Sequence, residues 1–231
     1  MKITVTKILS IALIATAAIF STACNDDDDD CIWITDPPFN SIVTVKTLDT
    51  GESYFQLDDE TTVEPVNWTN PYKDDIRIFA DLEILRDTSE KFTIKAKVFN
   101  TEEILTKDAI SSTSDTAETI LQKQDPVEIM DNWKTVSEDG FMTINFSTKW
   151  GPTDRTHYVN LVKTSDDPLT FRFCHDSNGD RGHDMRQGMV AFDIADLIPE
   201  SEGDTGKFTL TWESFSGEKE ADFDFDLTNR K

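Results

Sequence analysis

From residue 41 onward the dominant period of the chain is two. Ile76, Ile78, Ala80, Leu82 and Ile84 alternate with Arg77, Phe79, Asp81 and Glu83, and Phe92, Ile94, Ala96 and Val98 alternate with Thr93, Lys95 and Lys97. Successive side chains of a strand point to opposite faces, so each run reads as a half-buried strand, with a short turn at residues 87–90 between them. Residues 42–48 and 53–57 form a further pair around Asp49-Thr50-Gly51-Glu52, where Gly51 supplies the positive φ that hairpin turns often need. A handful of short strands within residues 40–105 suits a small closed barrel, of which the OB fold is one instance; a simple meander is the alternative.

The period lapses at residues 106–125, TKDAISSTSDTAETILQKQD, which are rich in Ser and Thr and nearly empty of aromatics. That composition predicts a linker or a short helix-bearing connection, and with it two halves that fold independently. Alternation returns afterwards: Met142, Ile144 and Phe146; His157, Val159 and Leu161; Leu169, Phe171 and Phe173; Val190, Phe192 and Ile194; Phe208, Leu210 and Trp212. In the last run Ala221, Phe223, Phe225 and Leu227 interleave with Asp222, Asp224 and Asp226, so one face is core and the other an Asp row in water that discourages strand pairing. Residues 126–231 therefore read as an antiparallel β-sandwich, and the fold class as all-β.

The first residues follow another pattern. Lys2 and Lys7 precede an apolar run at residues 8–20 and then Ser21-Thr22-Ala23-Cys24. The run is shorter than the about 20 residues that span a bilayer, and reads as a signal peptide over residues 1–23. Small residues before a cysteine resemble a bacterial lipobox, with Ser21 where Leu is commonest, and make Cys24 the expected lipidation site. The membrane partner is then reached through a lipid anchor and not a spanning helix. Asn25 and five consecutive carboxylates at residues 26–30 open an acidic tether, residues 24–39, because like charges in a row repel one another and cannot pack. An acidic run after a lipidated cysteine resembles the export signal of Bacteroidota surface lipoproteins, which implies the outer face of the outer membrane.

Charge removes one class of partner. With 22 Lys plus Arg against 45 Asp plus Glu, the net charge of −23 repels phosphate backbones and argues against nucleic acid. The 15 Phe and 5 Trp are too many for a disordered acidic polymer. Beside Cys24, only Cys31 and Cys174 remain, which allow one bridge; a flexible tether gives no reason for it, so free thiols are expected.

Catalytic chemistry is sparse. There is no Gly-x-Ser-x-Gly elbow, and no cysteine with a His and an acid in a recognisable signature. His157 lies in an alternating run and reads as packed, so the chain is expected not to be an enzyme and to need no cofactor. The richest polar stretch, residues 175–184, holds Asp176, Asn178 and Asp180 at calcium-loop spacing, yet Arg181 and Gln187 stand where an EF-hand needs Gly and Glu. Turn chemistry explains the same residues, and zinc through His175 and His183 lacks further ligands. Trp68 and Trp150, each near a proline in a loop, are candidates for contacting a sugar or protein, or for folding back over a sheet end.

Several phrases carry a resemblance: SYFQLDDETTVEPVNW, ILTKDAI, DPVEIMDNWKT, HYVNLVK, FRFCHDSNGD and GMVAFDIADLIPE, after the acidic lipoprotein start. Together they resemble the NigD-like family of Bacteroidota lipoproteins over essentially the whole mature chain. The resemblance implies an N-terminal OB-like domain and a C-terminal β-sandwich, and leaves activity open. Two functions follow as expectations: a non-enzymatic surface lipoprotein that binds a protein or glycan, or, from the bacteriocin gene cluster behind the family's name, an accessory or immunity lipoprotein. Asp115-Thr116-Ala117 resembles the acceptor of Bacteroidota O-glycosylation and makes Thr116 the candidate hydroxyl.

Overall fold

The computed structural model describes residues 39–87, 89–151, 155–166 and 169–230. The signal peptide, Cys24, the acidic run and Cys31 lie outside the described residues.

Strands β1 (Ser41–Thr47), β2 (Ser53–Gln56), β3 (Thr62–Pro65), β4 (Ile76–Ile84) and β5 (Ile94–Glu103) close into a barrel in the order β1-β2-β3-β5-β4. A meander is excluded, because β3 runs parallel to β5 and β1 pairs with both β2 and β4. Closure leaves no open edge and turns Val43, Val45, Phe55, Val63, Ile78, Ala80, Ala96 and Val98 inward as one apolar core.

Two sheets form the second domain. One orders β6 (Thr106–Asp108), β13 (Asp184–Asp193), β10 (Phe141–Trp150) and β8 (Glu128–Ile129), with β9 (Val136–Glu138) also on β10. The other orders β15 (Gly217–Asp226), β14 (Thr205–Ser214), β12 (Leu169–Asp176), β11 (Tyr158–Asp166) and β7 (Ile110–Ser111). Their inner faces meet in a core that includes Met142, Ile144, Phe146, Leu161, Phe171, Phe173, Val190, Phe192, Phe208 and Leu210, the positions that the alternation marks. Asp222 and Asp224 are exposed on the outer strand β15, while Phe225 beside them is buried.

Residues 106–125, expected as a linker or a short helix-bearing connection, hold two short strands and a short helix. Thr106–Asp108 pair in parallel with β13 and Ile110–Ser111 with β11, so the segment supplies a strand to each sheet. The reason is the backbone: the outer strands of both sheets carry N–H and C=O groups that these short pieces satisfy. Helix α1 (Ala117–Leu121) then sets Ala117, Ile120 and Leu121 with Ile110 over Val162 and Cys174.

The junction between the domains has no slack. Ile104 donates its N–H to Arg77 of the barrel, and the next carbonyl, Leu105, accepts from Ala191 of the sandwich. Phe39, Ile42, Phe79 and Ile104 meet Phe141, Met189 and Ala191 in a shared apolar cluster. Within the interface Arg77 reaches Glu138 at 2.9 Å and Thr44 at 3.1 Å, and Lys46 reaches Asp139 at 2.6 Å. The turn that carries Asp139 and Gly140, both at positive φ, also donates the Asp139 N–H to Asp59. The second faces of β1 and β4, expected in water, are therefore covered, and Arg77 is fully buried.

Candidate functional site

The polar stretch after β12 folds back on itself. Asp176 accepts the N–H of Asn178, and Asn178 and Gly179 take φ of 52° and 73°, a left-handed pair that Asn and Gly tolerate. The chain then returns so that Asp180 caps two backbone donors: its Oδ2 accepts from Gly151 at 2.8 Å and its Oδ1 from Gly182 at 2.9 Å. Gly182 lies flat against the end of β10, where a Cβ would fall 1.8 Å from the carbonyl carbon of Trp150. Gly182→Ala is expected to force the loop off the strand and lower stability by at least about 2 kcal/mol in a urea titration, since the obstacle is backbone that cannot swing aside.

The calcium spacing does not become a site. Asp176 forms an ion pair with Lys123 at 2.8 Å, and Asp180 points inward, so the carboxylates diverge. Among the described residues no group of three or more His, Cys, Asp or Glu is placed to hold a metal. His175 and His183 do not share a site either: His175 is buried and His183 is exposed.

A different constellation forms in the interior. His157 stacks flat on Trp150, ring centroids 3.8 Å apart. Its Nδ1 lies 2.9 Å from Nε2 of His175, and its Nε2 lies 3.3 Å from Oδ2 of Asp180. His175 Nδ1 lies 3.1 Å from the carbonyl oxygen of Asp125. A line of polar atoms thus runs from the β12–β13 loop through two imidazoles to the chain entering β8. Burial pushes both histidines below their ordinary value, His175 to about 4 with the neighbouring His157 acting in the same direction, while Asp180 pulls His157 part of the way back. Burial opposes the charge on Asp180 as well, but the two backbone donors and His157 outweigh it and hold its carboxyl below the usual range. His157 and His175 are 0% and 2% exposed, so the line can store or pass a proton but presents no face to a substrate. The sequence places His157 in the packed row with Val159 and Leu161; its partnership with His175 has no signal in spacing.

The other candidate side chains divide. Trp150 folds inward. Trp68 remains half-buried, edge-on to Phe55 at 4.6 Å, and lines a depression of about 650 Å³ on the barrel together with Thr47, Ser53, Glu64, Val66 and Asn70. Trp133, in the loop before β9, is 50% exposed and was not marked by any period. Burial pushes the Cys174 thiol up to about 11, which leaves it without nucleophilic thiolate at neutral pH. Thr116 is exposed at the start of α1, and its carbonyl accepts the Ile120 N–H.

The chain matches the NigD-like N-terminal OB domain over residues 42–104 and the NigD-like C-terminal β-sandwich domain over residues 108–225. No curated protein matches it. Among solved structures, a protein described as toxin-related from Parabacteroides distasonis is 25% identical with a TM-score of 0.68, the match covering 87% of this chain and 96% of that one. A protein of unknown function from Bacteroides vulgatus is 22% identical, TM-score 0.64, covering 82% and 92%. A NigD-like immunity protein from Bacteroides caccae is 16% identical, TM-score 0.56, covering 80% and 92%. With an OB barrel and a β-sandwich each matched in order, the chain belongs to the NigD-like family.

Proposed function

We propose that the protein is a non-enzymatic lipoprotein of the outer membrane, anchored through Cys24, displayed at the cell surface, and holding a protein or glycan partner at its barrel. The observation that carries this reading is the depression beside Trp68, where an aromatic edge and Val66 meet Thr47, Ser53, Glu64 and Asn70. The lining is mostly polar, with Trp68 and Val66 in its apolar part, and an aromatic ring beside hydroxyl, amide and carboxylate groups suits a hydroxyl-rich glycan or a polar protein segment. Thr69 lines the same depression and is exposed, so Thr69→Arg fills it without touching the core. Glycan arrays and envelope-extract pull-downs with the mature chain should yield a ligand whose affinity falls at least about ten-fold in this variant, about 1.4 kcal/mol. Binding that is unchanged by Thr69→Arg would place recognition elsewhere and end this reading.

Anchoring has its own outcome. Cys24→Ala should abolish labelling by an alkyne fatty acid, while Asn in place of residues 26–30 should leave the label and remove cleavage by protease added to intact cells. O-glycosylation is assigned to Thr116, supported by the exposure of Asp115 and Thr116 at the surface of the sandwich. Intact mass from the native host should show a glycan that disappears in Thr116→Ala.

The fold shared with the immunity protein from Bacteroides caccae favours a second reading, protection of the producing cell against a bacteriocin. Deleting the gene would then sensitise the cell to a peptide encoded beside it.

A further inference from the structure

The line through the two histidines has one contact more than it has protons. Its ends are acceptors only: a backbone carbonyl at Asp125, and at Asp180 a carboxylate kept ionised by the N–H groups of Gly151 and Gly182. Between them lie three contacts, of 3.1, 2.9 and 3.3 Å, and each requires an N–H. A neutral imidazole carries one N–H, so two neutral rings leave one contact with lone pairs face to face. The longest contact, between His157 Nε2 and Asp180, is where that deficit falls if the other two are satisfied. A single extra proton fills all three. A second would set N–H against N–H across the 2.9 Å contact and break the line.

We propose that the His157–His175 pair is a buried site for one proton, taken from solvent, and that this proton ties the loop of residues 177–183 to the end of β10. The charged groups facing the pair are those that a buried cation would choose. Asp180 stands on the loop, Asp176 at the end of β12 and Asp125 at the entry to β8. Among the described residues, Lys123, just after α1, offsets Asp176, and Arg155 reaches the Asn178 carbonyl. Trp150, stacked on the His157 ring, presents the π face that attracts an imidazolium. The loop is thereby sensitive to acidity: with the proton in place Asp180 is held by three donors, and without it His157 turns a lone pair toward the carboxylate.

Long-range proton–nitrogen NMR of the histidine rings in the mature chain, followed from neutral to mildly acid pH, tests this. His157 and His175 should shift together in one step that takes up one proton, and the amides of Gly151 and Gly182 should follow the same curve. Asp180→Asn should move that midpoint down by at least about one pH unit, because the carboxylate that faces the proton is gone. A residue that merely packs would leave the midpoint unmoved. Two separate ring titrations, neutral tautomers retained until the chain unfolds, or a midpoint indifferent to Asp180→Asn would overturn the proposal. Should Asp180→Asn fail to fold, the wild-type curve decides alone, joint titration supporting the site and separate titration excluding it.

Discussion

Asp139→Asn is expected to destabilise the protein by about 3–5 kcal/mol, although it changes one atom of a turn. The carboxylate is fully buried and lies 2.6 Å from Lys46, whose side chain is itself nearly enclosed. Removing one partner of such a pair leaves the other charge without compensation in a low dielectric. Asn tolerates the positive φ of this position as Asp does, so the loss reports the charge and not backbone strain. Arg77 makes the same argument from the other side of the interface, since burial pushes its guanidinium down from its ordinary value and Glu138 pulls it back. Arg77→Met with Glu138→Leu should cost far less than Arg77→Met alone, because replacing both ends with apolar groups leaves nothing unpaired. Urea titration of the full mature chain should give one transition in the wild type, seen equally by amide NMR signals of the barrel and of the sandwich. In Asp139→Asn the barrel signal should separate and come first. Equal midpoints, with a loss below about 1 kcal/mol, would show that the ion pair does not hold the domains together.

That interface is also where the sequence was least informative. Alternation is legible when one face of a strand meets core and the other meets water, as in β14 and β15, and the positions it marks there are those that pack. It fails for β1 and β4 because both of their faces are covered: Val43 and Val45 fill the barrel, while Ile42, Thr44 and Lys46 face the sandwich. Thr44, Lys46 and Arg77 look like solvent residues until their partners are known. Phe79, an aromatic in the polar row of β4, was the one local sign that this row meets another surface. Strands β6 and β7 escaped for a different reason. Pieces of two and three residues are too short to show any period, and their pairing is decided by the sheet edges they complete. The histidine line was half legible: the polar residues of 175–184 stood out, but the inward turn of Asp180 depends on Gly151 and Gly182 lying close in space, which no spacing announces.

Acid should weaken the sandwich in a way that depends on His175. Its value of about 4 in the folded chain, against 6.5 for an unperturbed histidine, means that the unfolded chain takes up this proton first as pH falls. Stability is therefore complete above about pH 6.5, falls between there and about pH 4, and levels off once the folded form is protonated too. At 1.36 kcal/mol per unit, the loss reaches about 3 kcal/mol. Burial raises the carboxyls of Glu138, Asp193, Asp59 and Glu102, and these act in the opposite sense: the folded chain binds their protons more readily, so they recover stability as the solution turns acid. The total curve mixes both signs, and the informative quantity is a difference. His175→Gln should be less stable than wild type at about pH 7.5, since Gln breaks the contact to His157, yet it has no proton to gain. Between about pH 7.5 and about pH 4.5 the wild type should lose about 2–3 kcal/mol more than His175→Gln in matched urea titrations. Parallel stability curves for the two proteins would mean that burial does not hold His175 neutral, and the acid response of the sandwich would have to come from its carboxylates alone.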